Sequence, residues 1–358
     1  MHNKTLTISP AWIFRTPDDE LFEPVLLQLL AQIRDTGKLT NAAAAVGISY
    51  RHAWNVLKRG ADIFGLPLVE MRKGQGSSLS ALGEALLWAE QRVQARLGPQ
   101  LESMASELNE QIRQLVTGNQ SVLQIHASHG YAVALLPELS GQLKINLQYR
   151  NPEEALTALN QGDCDLASFH LPTDPFLAKQ FLSHYQHLLS SKEHQVIRFV
   201  TRSEGLMLRQ GCHDAIHSLH DLSDAQLSFI GRNRYSGTRV LFNLLLKQQG
   251  LAEDSINRTA QQEYTHTAVA AFVASGMADA GFGVKAAADQ FGLRFIELAS
   301  EYYLLLFRKD SLSPEVLTPL LKLISSQPLA ERIEQIAGYA PDNPGEITNL
   351  EQLINGKI

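Results

Sequence analysis

The chain has 358 residues, 44% of them hydrophobic and 19% charged, with a formal charge of −6, which is enough to bury substantial cores in two or three domains. No apolar run reaches the roughly 18 residues a bilayer span requires, and the opening MHNKTLTISPAW has no apolar signal core. Two cysteines, Cys164 and Cys212, are too few for a disulfide framework, so the expectation is a soluble chain in a reducing cytoplasm with no membrane partner.

Residues 1–19 read as an arm or a short strand. From Glu20 to Arg34, Leu21, Val25, Leu26, Leu29, Leu30 and Ile33 recur at helical spacing. Thr40 then suits the N-cap of an Ala-rich helix through Val46, Gly47 turns the chain, and Ser49 suits the cap of a second helix ending near Ile63. Two short helices joined at a glycine are the sequence form of a helix-turn-helix. In the second helix Ala53, Val56, Leu57 and Gly60 mark a core face. Ser49, Tyr50, Arg51, His52, Asn55 and Lys58 fall at the N-terminal end and on the outer face, where such a helix meets base edges and phosphates. Leu68–Met71, a polar turn from Arg72 to Ser78 and Leu79 read as a wing, with Arg72 and Lys73 toward phosphate. Between Ala31 and Ser78 seven basic residues face three acidic ones, a local +4 in a chain of −6, as a dedicated nucleic-acid module would have. An ordinary three-helix scaffold with solvated Lys and Arg is the competing reading.

This stretch, KLTNAAAAVGISYRHAWNVLKRGADIFGLPLVE, resembles the winged helix-turn-helix of the molybdate-responsive ModE-type regulators and their LysR-type relatives. The resemblance rests on Ser49-Tyr50 and Trp54 and on the run Phe64–Val69. The RKGQGSSLS wing is less glycine-rich than is usual in that family. The resemblance implies binding to double-stranded DNA.

Ser80 suits the cap of a long helix. Leu82, Leu86, Ala89, Val93 and Leu97, then Leu101, Met104, Leu108, Ile112 and Leu115, form an apolar stripe that Gly98-Pro99 is expected to kink or restart. Pairing with a second copy gives a homodimer or a tetramer reading two half-sites. Packing against the chain's own body is the alternative. The expected division is 20–80 for the winged helix-turn-helix, 81–116 for the linker and dimerisation helix, and 121–340 for an effector domain, with Thr117–Gln120 as the break.

Beyond that break the pattern alternates. VLQIHAS, LKINLQYR and LASFHL read as strands, Gly130–Leu139 as a helix, and Asn151-Pro152 as the start of another. Gly205–Arg209, LSFIGR, LRFIEL and EYYLLLFRK read as further strands, SGTRVLFNLLLKQQG and Thr267–Ser275 as helices, and the last twenty residues as a loosely packed tail. Two α/β lobes suggest a clamshell with ligand at the strand ends. NRYSGTR, the H-x-S-H-G stretch and Gly276–Gly283 resemble the periplasmic-binding-protein-like effector domains of LysR-type and molybdate- or tungstate-related proteins. The fold class expected is therefore α+β multidomain: a winged helix-turn-helix, a linker helix and a two-lobed, type 2 periplasmic-binding-protein-like α/β domain.

Within that domain Ser236, Gly237, Thr238 and Arg239 lie between a strand and a helix. Hydroxyls, free amides and one guanidinium there suit a compact anion, while helix capping plus a surface arginine is the plainer alternative. Ser128 is placed alike in the first lobe. The spacing of His126, His129, His170 and His266 matches no ligand signature such as HExxH, so no metal or other cofactor is expected, and His129 and His170 read as neutral hydrogen-bond donors. Thr265 and Thr267, which flank His266, are secondary candidates, while Asp279 suits a cap for the turn. No GxSxG, CxxC, P-loop or GxGxxG signature occurs, so the chain is not expected to be an enzyme. The reading is a one-component transcriptional regulator sensing a small anion. The resemblance implies molybdate or tungstate first, with formate, another small organic acid or a sulfur oxyanion as the alternative. A non-regulatory binding protein is disfavoured.

Overall fold

The computed structural model describes Arg15 and residues 25–72, 76–117 and 122–354. These fall into two compact units, Ser9–Gly98 and the chain from Pro99 onward.

In the first unit α1 (Val25–Thr36), α2 (Leu39–Ala45) and α3 (Tyr50–Phe64) close around Leu26, Leu29, Leu30 and Ile33. Ala42 and Ala43 are buried without bulk, which lets α2 cross close to its neighbours. Gly47, at φ +74°, supplies the left-handed turn between α2 and α3. Ser49 Oγ then accepts from His52 N at 3.1 Å and caps α3. The cap expected of Thr40 is not made, because α2 begins one residue earlier, with Lys38 at the N-cap position and no side-chain bond. Strands β1 (Val69–Arg72) and β2 (Gly76–Leu79) pair antiparallel. The start expected at Glu20, the arm before it, the tip of the wing with Lys73, and Gly118–Gln120 lie outside the described residues.

Helix α4 (Ala81–Thr117) is capped by Ser80, whose Oγ accepts from Gly83 N at 3.1 Å. The expected interruption at Pro99 is not a break. The helix passes through it, giving up one amide donor, and Ser103 Oγ donates to Pro99 O at 3.0 Å.

The second unit is built on one ten-stranded sheet. Its first lobe contains β3 (Leu123–Ala127), α5 (Leu135–Leu139), β4 (Ile145–Tyr149), α6 (Pro152–Gln161), β5 (Leu166–Pro172) and α7 (Pro175–Tyr185). Asn151 and Glu154 form a reciprocal capping box at α6. Strand β6 (His194–Leu208) leads to the second lobe: α8 (Leu219–Asp224), β7 (Phe229–Arg232), α9 (Gly237–Gln248), β8 (Arg258–Glu263), α10 (His266–Ala274), β9 (Ala280–Val284) and α11 (Lys285–Gln290). Strand β10 (Arg294–Arg308) returns to the first lobe, followed by α12 (Pro314–Ile324), α13 (Gln327–Glu334), β11 (Tyr339–Pro341), β12 (Ile347–Thr348) and α14 (Leu350–Ile354).

The strand order is β4-β3-β5-β10-β6-β9-β7-β8, parallel within each lobe and antiparallel where β10 and β6 enter. Two 15-residue strands, β6 and β10, thus run through both lobes side by side. Apolar clusters cover the two faces of the sheet, one around Ile125, Phe199 and Tyr303, the other around Phe169, Phe229 and Phe242.

Three sequence expectations are corrected. LRFIEL and EYYLLLFRK are one strand, β10. The helix placed at Gly130 starts at Leu135, after a run of turns. The supposed loose tail adds β11 and β12 to the edge of β6, with Tyr339, Thr348 and Leu350 buried. Arg198 locks it through two bonds to Asp342, at 2.7 and 3.1 Å. The effector unit therefore extends well past residue 340.

Candidate functional site

At the middle of β6 and β10, where the lobes join, apolar alternation gives way to charge. Arg202, Glu204 and Glu301 are all at most 2% exposed. Register places Arg202 opposite Glu301 and Glu204 opposite Ala299. Arg202 Nε donates to Glu301 Oε1 at 2.7 Å, Nη2 closes the ion pair, and Nη2 lies 3.4 Å from Glu204 Oε1. The guanidinium also stands 5.4 Å from the Tyr303 ring.

Other groups arrive from the carboxyl ends of the parallel strands, where open α/β sheets gather ligands. His170, near the end of β5, has Nδ1 3.5 Å from Glu301 and its ring edge-on to Tyr303. His266, at the start of α10, accepts from Val284 N through Nδ1 at 3.3 Å. Its proton therefore sits on Nε2, which faces Glu204 at 3.8 Å and Thr238 Oγ1 at 3.5 Å. Arg232 ends β7 and holds the carbonyl of Tyr264 at 2.7 Å. His129, after β3, meets the ring of Tyr149 at 5.0 Å.

Burial and the two arginines push His129 and His170 down to about 4, and His266 well below the ordinary histidine value, so all three are neutral at pH 7. Arg202 beside Glu301 holds that carboxylate down at about 2. The cluster leaves buried atoms without a hydrogen-bond partner: Arg202 Nη1, Arg232 Nε and Nη1, His129 Nδ1, both His170 nitrogens, both Glu204 oxygens and Glu301 Oε2. Orphaned groups of this kind each cost about 1–3 kcal/mol, more when charged. Convergent orphans between two lobes are what a ligand would satisfy.

Of the residues expected from sequence, His170 and Thr238 are in this cluster and His129 borders it. Thr267 Oγ1 is 3.0 Å from Tyr131 OH, a link between the lobes. Thr265 caps α10. Ser128 is not at a helix start. Its N–H donates to Ser168 Oγ and its carbonyl accepts from Tyr303 OH, both at 2.8 Å. Ser236 occupies the α9 N-cap position, buried, with no side-chain capping bond. Gly237 serves packing: a Cβ there would lie 3.3 Å from Phe181, so its absence lets α9 approach α7. Arg239 is corrected. It turns to the Arg232 carbonyl at 3.5 Å and to Glu253 at 3.9 Å, away from the cluster. Asp279 accepts from Ser228 and is a turn-former, and the charged groups that perturb His126 are Arg150, Asp163, Glu107 and Glu154, none of them in the cluster.

Sequence reasoning missed Arg202, Glu204, Arg232 and Glu301. The available signal was TRSE inside the apolar run VIRFVTRSEGLML, since charges in a strand interior need partners. A separate groove of about 800 Å³ lies where β6 starts and β10 ends, among Asn160, Lys192, His194 and Arg308.

In the N-terminal unit Ser49, Tyr50, Arg51, His52, Asn55 and Lys58 are all exposed, as is Trp54. Arg72 ends β1, and its side chain lies outside the described residues. Along α4, Leu97, Met104, Leu108, Ile112 and Leu115 are exposed. Ser103 and Ala105 are buried, and Ser103 Oγ accepts from Tyr149 N at 2.8 Å on the edge strand β4. No described helix is long and apolar enough to cross a membrane.

A family model described as the PBP superfamily domain matches residues 134–325, more than half of the chain. The chain belongs to the PBP superfamily. The PBP-superfamily match contains His170, Arg202, Glu204, Arg232, His266 and Glu301. Ser128 and His129 precede it, and β11 and β12 follow it. A Bacillus subtilis (strain 168) protein described as uncharacterized, YvgK, is 27% identical over 200 residues, covering 56% of this chain and 64% of that protein, so less than two thirds of the relative is spanned. Among solved structures, a hydrogen-peroxide-bound OxyR mutant of Corynebacterium glutamicum is 15% identical with a TM-score of 0.46, covering 87% of this chain and 94% of that one. CbnR, a LysR family transcriptional regulator, is 15% identical with a TM-score of 0.42, covering 84% of this PBP-superfamily chain and 98% of its own.

Proposed function

We propose that this chain is a one-component, DNA-binding transcriptional regulator of LysR type whose two-lobed domain senses a small oxyanion. Molybdate and tungstate are the first candidates because the N-terminal unit resembles molybdate-responsive regulators. The observation that carries the sensing half is the set of unpartnered donors on Arg202, Arg232 and the neutral histidines, drawn from both lobes and from the strands joining them. An anion touching both lobes favours one arrangement of them over another, which is the requirement for a ligand to shift the equilibrium. The DNA half is supported by the exposed polar face of α3 and the local excess of positive charge.

A short physical route leads from cleft to linker. His129 packs on Tyr149, whose backbone N–H is held by Ser103 of α4 and whose hydroxyl is hydrogen-bonded to Glu102. The exposed apolar stripe of α4 is read as the seam with a second copy, giving a dimer on an inverted repeat. A small carboxylate such as formate, or a sulfur oxyanion, would use the same donors.

The test is calorimetric titration of the full-length protein with molybdate, tungstate, sulfate, phosphate and formate in parallel, followed by binding to an inverted-repeat duplex with and without the anion that binds. An oxyanion that binds and changes DNA affinity supports the reading. Silence toward every anion, with binding of an uncharged compound, ends it.

A further inference from the structure

The cluster holds two buried carboxylates around one guanidinium. Arg202 gives Nε and Nη2 to Glu301 and offers Glu204 only the flank of Nη2, at 3.4 Å. Glu204 is 0% exposed, no protein donor reaches either of its oxygens, and the group in hydrogen-bonding contact with it is the Glu301 carboxyl. It sits at the lobe junction on β6, between Arg202 and His266. Two carboxylates this close in a dry site do not both ionise, and the better-partnered one keeps the charge.

We propose that Glu204 carries a proton in the resting protein, shared with the Glu301 carboxylate, and turns it to the bound anion as a hydrogen bond, so that the cleft selects fully ionised oxyanions, those with acceptors only. The inference rests on the anion-sensing reading above. A deprotonated Glu204 would point two lone-pair oxygens at such an anion and repel it. A protonated Glu204 adds a neutral donor beside Arg202, Arg232, and the Nε2–H of His266. Burial and the neighbouring Glu301 charge push Glu204 well above the usual carboxylate range, against the opposing pull of Arg202 and Arg232.

The groups facing Glu204 are identifiable on each neighbouring element. They are Arg202 on its own strand, Glu301 on β10, His266 on α10, Arg232 on β7 and Tyr339 on β11. The histidines are neutral above about pH 6.5, where isolated imidazole also loses its proton. Arg232 is pushed down to about 10 by burial. Glu204 is the carboxyl whose titration bears on an anion in the cleft. The sign follows: binding is strongest with the proton on, and weakens as pH rises through the resting value of Glu204, by about tenfold per pH unit for one proton.

Two measurements on the full-length protein test this. Infrared difference spectra between wild type and Glu204→Gln at pH 7.5 should show a protonated-carboxyl band that the variant lacks. Molybdate should shift that band as the proton exchanges the Glu301 carboxylate for the anion. Molybdate titrations from pH 6.5 to 9 should give Glu204→Gln an affinity within about threefold of wild type at the low end and no fall above it, since the amide is a permanent donor. Thermal melts check that the variant folds, and a neutral isostere of the protonated form should not lower Tm. Absence of the band, a band that molybdate leaves unmoved, or a variant whose affinity falls with pH as steeply as wild type overturns the proposal. If no oxyanion binds at all, the anion-sensing reading fails, while the band still reports separately whether Glu204 holds its proton.

Discussion

Arg202 has two structural partners and one unused edge. Its removal leaves the Glu301 carboxylate buried without its paired guanidinium, so Arg202→Met should destabilise the second unit by about 3–5 kcal/mol, read as a large fall in Tm. Arg232 differs, because two of its donors have no protein partner. Arg232→Met should fold with a Tm near wild type and lose anion affinity by about ten- to a hundredfold, the scale of one charge-assisted hydrogen bond. The histidines set a pH dependence of stability. His129 and His170 fall from 6.5 when unfolded to about 4 when folded, so the unfolded chain binds more protons between those values. Stability is fully present above about pH 6.5 and is lost as pH falls toward 4. Melts from pH 7.5 to 4.5 should show Tm falling, and His170→Gln should show a shallower fall. His129, His170 and Thr238 could be picked out from sequence because each lies near a strand end or a helix start, where polar residues gather. Arg239 misled because it is adjacent to the SGT run. Which way a side chain turns depends on the Arg232 carbonyl and Glu253, which local sequence does not place.

Elements with local causes were readable, and elements with distant partners were not. α3 follows from Ser49, its glycine turn and its apolar face, and α6 from Asn151, Pro152 and Glu154. β6 and β10 owe their length to each other across some ninety residues of chain, and their central charges broke the apolar pattern that would have marked them as continuous. At α3, Arg51→Ala should weaken binding to the cognate duplex by about ten- to a hundredfold while changing random-duplex binding far less, measured by fluorescence anisotropy. Equal losses on both would assign Arg51 to phosphate. At α4, Met104→Asp with Leu108→Asp puts two charges on the exposed stripe. The dimer proposed above should then shift to monomer in light scattering with the melt of the second unit unchanged. An unchanged mass would place the dimer contact elsewhere.

At the scale of the molecule, the closing strands matter more than their length suggests. β11 and β12 cover the β6 edge beside Arg198 and Arg202. A chain ending at Gly338 should lose cooperative unfolding of the effector unit while keeping that of residues 25–98, seen as loss of one of two calorimetric transitions. The same topology orders events during synthesis. The helices of the N-terminal unit leave the ribosome early and can fold from what has already been made. β6 waits for β10, whose first residue follows 86 positions after the last of β6, on the order of ten seconds at about 5–20 residues per second. It waits again for the codons of β11 and β12. A transcript broken within those codons would thus release a finished N-terminal unit attached to a sheet that never closes its edge. Quality control would meet that product as a half-folded chain, not an unfolded one.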